Sequence, residues 1–291
     1  MERRDTKDFN DAKHSRGEWD TKVVAVRSKV LRFCAGFLSQ KRRGVDDLAA
    51  LSSRDAAGLV LDAGAGTGAY SVWFASRRAC RVISVDISCA ALQKAQGSAL
   101  SLGLAQSISA VCADLHALPF REPNFCAAFS VDTLGHVADV NKVLDELLRC
   151  VASGAPLFLH SECGDYRKRW PDRMLMHRLG ADLAAQQDGH DALRDARDLF
   201  MLYSRRFKIV SFVNPAGYLG WFLGYPEKYR PAFVAAGLTG VARFLSLCAA
   251  LKKTPVLGVI MRFVNASSNH LENYFGLTGG GSCFAHVKKP T

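Results

Sequence analysis

The 291-residue chain is 49% hydrophobic and carries a formal net charge of +11, which is apolar enough to close a large core and excludes a disordered or fibrous class. At roughly 100–200 residues per domain, this length holds one domain plus an insertion. The positive excess favours an acidic partner, whether nucleic acid, an anionic membrane surface or an anionic small substrate, without choosing among them. Met1 to Val24 mixes charges with few apolar residues, so export is not expected and the expected location is cytoplasmic. The nine cysteines are odd in number, none is spaced C-x-x-C, and Cys80, Cys112, Cys126 and Cys283 lie in apolar runs. That pattern reads as buried thiols in a reducing compartment. No His/Cys grouping has zinc-ligand spacing, so no structural metal is expected.

In chain order, a polar and mobile opening to about Trp19 gives way to helical spacing over Val23 to Phe37 and a short helix over Val45 to Leu51. Residues 1–57 therefore read as an N-terminal helical segment. Leu59-Val60-Leu61 is a short apolar run stopped by Asp62 and a glycine cluster, as a buried parallel strand ends. A helix over Ala69 to Arg77, a strand over Arg81 to Val85, a helix over Cys89 to Leu102 and a strand over Ile108 to Cys112 follow. Then come a strand over Phe125 to Val131, a helix over Val140 to Val151 and a strand over Pro156 to His160. Alternation at this pace predicts an α/β fold, a doubly wound and mainly parallel seven-stranded sheet. After a charged helical region from Asp172 to Leu199, strands are expected at Phe207 to Val213 and Ser282 to Val287. The core would thus be residues 58–217, with a helical insertion over 218–278 and a final strand in 279–291.

Asp62-Ala63-Gly64-Ala65-Gly66-Thr67-Gly68 sits between a strand and a helix, where backbone amides meet a ligand entering from the strand ends. The spacing is G-x-G-x-G with an acid two residues before it, not the G-x-G-x-x-G of pyrophosphate-binding folds. An acid there repels a pyrophosphate but suits the ammonium of an amino-acid-bearing nucleoside, which favours S-adenosylmethionine over NAD. Asp86 ends the second strand, where a carboxylate accepts from both ribose hydroxyls.

On these residues the chain resembles the class I S-adenosylmethionine-dependent methyltransferases, and within them the type 11 group, over roughly Leu59 to Ser161 and again in the last strand. The resemblance implies that Asp62, Gly64, Gly66 and Gly68 form the cofactor loop, that Asp86 holds the ribose and that Ile87 packs beside the adenine. It also implies that Asp114 contacts the adenine amine and that Leu115 offers its backbone amide. Leu118-Pro119-Phe120 through Phe125 fits the same group, whereas Cys126 stands where such enzymes usually carry an aspartate. A turn acid remains the other reading of Asp114.

Methyl transfer from a sulfonium needs no protonated leaving group, so positioning and desolvation supply much of the catalysis. If the acceptor is a hydroxyl or carbon acid, a base within reach helps. His136 is the first candidate, because the resemblance places it just past the fourth strand; lining the cofactor pocket is its other reading. His160 and Glu162 either line the pocket or hydrogen-bond structurally, and Asp132 either contacts the cofactor or caps a turn. Tyr70 and Trp19 either cover the cofactor or pack in the core.

Ala232 to Leu251 is apolar apart from Arg243 and approaches membrane-spanning length. The final strand must return to the same sheet, which leaves a buried helical cap or a helix in the membrane interface, covering the acceptor site. Trp221, Phe222, Tyr225 and Phe233 favour a hydrophobic or lipid-linked small acceptor. The clusters Lys41 to Arg43, Arg167 to Arg169 and Arg205, Arg206 and Lys208 read as solvated faces or as a match for anionic headgroups. An RNA-modifying methyltransferase, favoured by charge but by no RNA-binding module, and a non-catalytic nucleoside-binding module are the alternatives. The acceptor, the accepting atom and the oligomeric state are not encoded legibly.

Overall fold

The computed structural model describes residues 6–17, 39–51, 58–121, 123–182, 185, 189–190, 193–216, 230–275 and 278–291. The expected helix over Val23 to Phe37, and Trp19, Trp221, Phe222 and Tyr225, lie outside the described residues.

The core sheet has seven strands in the order β3-β2-β1-β4-β5-β7-β6. They are β1 (Leu59–Ala63), β2 (Arg81–Asp86), β3 (Ile108–Cys112), β4 (Phe125–Val131), β5 (Pro156–Glu162), β6 (Lys208–Val213) and β7 (Ser282–Lys288). The pairs β1 with β2, β1 with β4, β2 with β3 and β4 with β5 are all parallel. The α/β, doubly wound expectation is met. β1 and β4 adjoin although two strands separate them in sequence, so the chain reverses its order across the sheet between them. That reversal opens a crevice at their carboxyl ends, the place where open α/β sheets take ligands.

The helices of this half are α1 (Thr6–Ser15), α2 (Gln40–Leu51), α3 (Ala69–Ala75), α4 (Cys89–Ser101) and α5 (Val140–Cys150). Asp139 caps α5 by accepting from the Asn141 and Lys142 amides, and Val143, Leu144 and Leu147 form its buried stripe. Two expectations change. The opening read as mobile contains α1, whose Asp8 near the start and Lys13 and His14 near the end complement the helix dipole. α2 begins in the basic link itself, at Gln40, rather than at Val45.

Two compact units emerge. The first holds the residues up to Ser161, with Met201–Phe212 and Phe284–Thr291; the second holds Glu162–Phe200 and Val213–Cys283. Val60, Val72, Trp73, Val82, Phe129 and Phe158 lie in the core of the first. The second contains α6 (Trp170–Leu179), most of the span leading into α7 (Ala196–Ser204), and α8 (Arg230–Ala235), α9 (Thr239–Lys253) and α10 (Pro255–Tyr274). Leu175, Phe233, Ala242 and Leu245 form its own small cluster. The apolar run from Ala232 is broken at Gly237, whose φ of 72° ends α8.

The triple glycine before β7 has a packing explanation. A Cβ on Gly280 would lie 1.8 Å from the Pro215 carbonyl oxygen. Asn214 staples that approach, donating from Nδ2 to the Gly280 and Ser282 carbonyls at 3.0 and 2.8 Å and accepting the Gly279 N–H at 2.8 Å.

α2 meets the sheet at Gly44, where a Cβ would lie 2.1 Å from Phe158 Cζ. The Gly44 carbonyl accepts from His286 Nε2 at 2.9 Å. Overpacking a rigid aromatic costs about 1–3 kcal/mol, so Gly44→Val is expected to lower unfolding free energy by about 2 kcal/mol, read as a reduced urea midpoint at unchanged slope.

Candidate active site

The glycine loop follows β1. Gly64, Gly66 and Gly68 have φ values of 81°, 50° and 76°, a region other residues enter at a cost. A Cβ on Gly64 would lie 2.1 Å from Thr133 Oγ1, and one on Gly68 would lie 2.7 Å from Ala95 Cβ; at Gly66 the nearest atom, His14 Cε1, is 3.5 Å away. Two glycines therefore permit packing, and the middle one leaves bare backbone. The Gly64 and Ala65 amides donate to the Val85 carbonyl at 2.8 and 2.9 Å, which pins the loop to β2.

Asp86, at the tip of β2, is buried. Its Oδ2 accepts the Gly66 amide and its Oδ1 the Ser88 amide, each at 2.8 Å. Burial pushes this carboxyl above the ordinary range, against the pull of those two amides and of His14. Each oxygen keeps a lone pair directed elsewhere. Asp62 is only 1% exposed. Ser71 donates to its Oδ2 at 2.6 Å, and the Ser71 and Ser84 hydroxyls lie 2.6 Å apart. Burial raises the Asp62 pKa to about 7, with the Asp86 charge adding to the rise and the Ser71 hydrogen bond opposing it.

α1 supplies residues that sequence reasoning missed. It packs on α4; Asp11 hydrogen-bonds the Ser88 hydroxyl, and Lys94 Nζ donates to the His14 carbonyl at 2.6 Å. His14 is thereby buried beside Gly66. The charge placement within α1 was the available signal, but its polar composition reads as loop.

The tips of β2 and β3 are joined by the Ala113 amide donating to the Asp86 carbonyl at 3.0 Å. Ile87 is half-buried, Leu115 is buried and Asp114 is exposed. Asp114 Oδ1 accepts the His116 amide at 2.9 Å and lies 2.6 Å from His116 Nδ1. Burial alone would raise the Asp114 pKa; the His116 contacts outweigh it and hold the carboxyl below the usual range.

One expectation is corrected here. Cys89 and Cys112 form a disulfide with Cα atoms 5.5 Å apart, within the bridging range. The reason is register: Cys112 pairs with Asp86, so the end of β3 lies beside the start of α4. Cys80, Cys126, Cys150, Cys163, Cys248 and Cys283 are free thiols. Cys126, the departure from the family pattern, donates to the Leu59 carbonyl at 3.3 Å and fills the space over Gly58.

Residues 61–159 match the family model described as "Methyltransferase domain". Over these residues the chain is similar to the class I methyltransferases of the type 11 group. The domain is 29% identical over 102 residues to norajmaline N-methyltransferase of Rauvolfia serpentina, covering 35% of each chain. It is 40% identical over 101 residues to malonyl-[acyl-carrier protein] O-methyltransferase of Halorhodospira halophila, covering 34% of this chain and 33% of that one. The chain spans about a third of the length of the curated relatives it matches. Among solved structures, geranyl diphosphate C-methyltransferase of Streptomyces coelicolor superposes with a TM-score of 0.55 at 14% identity, over 86% of this chain and 75% of that one, a likeness of fold.

On the other side of the crevice, β4 ends in a strained turn. Asp132 has φ 60°, costly for a residue with a side chain. Lys41 Nζ lies 2.6 and 2.5 Å from its two oxygens, and His160 Nδ1 lies 3.0 Å from Oδ1. His160 is fully buried, and burial lowers its pKa against the pull of Asp132. Its ring stacks tilted on Phe284, and Nε2 has no partner among the described residues. His160 is thus buried and bonded to Asp132. The turn leads to His136, half-buried, whose amide donates to the Thr133 carbonyl at 2.9 Å. Burial also raises the Tyr70 phenol to about 12, leaving it a hydrogen-bond donor.

Lys41 was hidden in what read as a solvated basic cluster. It is placed by a clamp: Trp73 Nε1 donates to the Arg42 carbonyl at 3.3 Å, Arg77 lies 3.2 Å above the Trp73 ring, and Arg77 pairs with Asp46 at 2.5 Å. A disulfide closing a short loop contributes about 2–4 kcal/mol. Reduction, or Cys112→Ser, is therefore expected to lower stability by about that amount, measured as the difference between urea unfolding curves with and without dithiothreitol.

Proposed function

We propose that the protein is an S-adenosylmethionine-dependent methyltransferase acting on a small, hydrophobic or lipid-linked acceptor. The observation that carries this reading is the Asp86 carboxylate bonded to the amide of Gly66, the loop glycine where an added Cβ would meet only ordinary contact, from His14 at 3.5 Å. A carboxylate so held is oriented before any ligand arrives, and its remaining lone pairs suit a ribose diol. Ile87 and Leu115 offer apolar flanks for an adenine, and Asp114, anchored by His116, an acceptor for its amine. Positive φ at Gly64, Gly66 and Gly68 shapes the loop, and the absence of a side chain at Gly66 suits close approach of a nucleoside.

When bound, S-adenosylmethionine supplies an electrophilic methyl group and leaves as a neutral thioether. The chain's part is then to orient the acceptor in line and to exclude water. Lys41 and His160 fix Asp132, which fixes the turn bearing His136. For a hydroxyl or carbon acceptor, His136 takes the acceptor proton. The relatives and structural neighbours, by their names, methylate nitrogen, oxygen and carbon, so kinship leaves the accepting atom open. The apolar insertion favours a hydrophobic acceptor.

The decisive experiment is transfer of labelled methyl from S-adenosylmethionine to a panel of hydrophobic acceptors, beside calorimetric binding of S-adenosylhomocysteine. Asp86→Ala should weaken binding by about 2 kcal/mol or more, the scale of charge-assisted hydrogen bonds to a buried carboxylate; unchanged Kd would defeat the reading. His136→Ala should lower kcat about 10²–10⁴-fold with a hydroxyl or carbon acceptor and leave Kd intact, whereas turnover equal to the parent across pH removes it as the base.

Asp62 gives a pH signature. Without ligand its raised pKa favours the protonated folded state, so its contribution to stability is present at low pH and lost as pH rises through about 7. A cationic ligand favours the ionised form. Affinity should therefore rise from pH 6 to pH 8, by at most about tenfold per pH unit, with proton release on binding. Asp62→Asn should flatten that profile, and an equally steep profile in the variant would show that another group is responsible.

A further inference from the structure

α10 is built inside out. Among its described residues the buried positions are Gly258, Ala266 and Glu272, with Asn265, Ser268 and Asn269 half-buried beside them. Its outer face carries Val256, Val259, Ile260, Phe263, Val264 and Leu271, each between 46% and 70% exposed. A helix packed on a core and facing water shows the opposite arrangement, with large apolar groups inward and polar groups outward. α9 adds to the same kind of surface, because Phe244 and Leu247 are 48% and 56% exposed. Among the described residues, twelve of the seventeen exposed large hydrophobic ones fall between Val234 and Phe275, a concentration far beyond the scattered apolar residues of an ordinary surface.

Charge completes the pattern. From Arg230 to Leu271 the sequence holds no aspartate or glutamate, yet it holds Arg230, Arg243, Lys252, Lys253 and Arg262. Arg243 adjoins Phe244, and Arg262 lies between Ile260 and Phe263, both arginines being exposed. No single described helix is long and apolar enough to cross a membrane, and α9 and α10 turn by 112° at Thr254. This geometry suits shallow burial, in which apolar side chains enter the acyl boundary while arginines remain at the headgroups.

We propose that α9 and α10 form a docking surface for a lipid bilayer bearing anionic headgroups, whichever molecule is methylated. The charge argues against a second copy of this chain as the occupant, since self-association would press cations together with no acid from the same stretch to neutralise them. It argues for a negatively charged lipid surface, where each added cation strengthens partitioning roughly fivefold.

The test is co-sedimentation of the full chain with phosphatidylcholine vesicles and with vesicles containing phosphatidylserine, at low and high salt. Binding is expected to be markedly stronger to the anionic vesicles and to fall with salt. Ile260→Ser with Phe263→Ser should reduce binding to both kinds of vesicle more than tenfold. Arg243→Glu with Arg262→Glu, which alters only exposed side chains and so keeps the test valid if the serine variant misfolds, should abolish the anionic preference. An unaltered thermal midpoint certifies each variant. The proposal is overturned if the parent ignores anionic vesicles, if the charge-reversed variant keeps the parent's preference, or if the parent forms a dimer that the serine pair dissolves while no vesicle binding is seen.

Discussion

A carboxylate kept out of water at the tip of the second core strand is the constraint around which the first half of this molecule is arranged. Burying a charge is expensive unless hydrogen bonds replace its hydration. Asp86 meets that requirement with two backbone amides, Gly66 from the loop and Ser88 from the turn into α4. The first contact needs a loop that folds back over β2, which needs the Val85 carbonyl to take the Gly64 and Ala65 amides. That path in turn needs positive φ at three glycines. The glycine pattern is therefore the backbone's means of solvating one acid, and the same arrangement leaves an oriented acceptor at the mouth of the crevice.

The opposite wall is governed by a second acid under different rules. Asp132 is partly exposed and sits in an unfavourable backbone conformation, held by Lys41 from α2 and His160 from β5. Strain persists where surrounding contacts over-determine it, and here those contacts come from separate parts of the sequence. Lys41 reaches its place because Gly44 allows α2 to touch Phe158, and because the Trp73, Arg77 and Asp46 set locks the helix to α3. Core packing and site geometry are one problem at this end of the sheet.

The alternation of strands and helices was legible from residue 58 to 160 because buried parallel strands are short apolar runs with abrupt ends, as Asp62, Asp86 and Asp132 show at or beside the ends of β1, β2 and β4. Asp62, the three glycines and Asp86 were legible for a related reason: a backbone that must take positive φ, followed by an acid at a strand tip, leaves a local trace. What failed to show was non-local. α1 is mostly polar, and Asp11 and His14 tie it to Ser88 and Lys94, some 80 residues away. Lys41 looked like one more surface cation because pairing with Asp132 is a property of the fold. The Cys89 and Cys112 bridge depends on strand register, which spacing between cysteines does not encode.

The second unit shows a different limit of sequence patterning. Hydropathy counts how much of a stretch is apolar, and by that count Ala232 to Leu251 approaches a span. Gly237 and Thr254-Pro255 divide the region into separate helices, since a positive φ and a missing amide each end the hydrogen-bond ladder. Periodicity then finds an amphipathic stripe in α10 but cannot say which side faces inward. Packing decides that, and it turns Gly258, Ala266 and Glu272 toward the protein and Ile260 and Phe263 away from it. Small residues allow the close approach of one helix to its neighbours, while the large apolar side chains gain nothing unless the medium they meet is itself apolar.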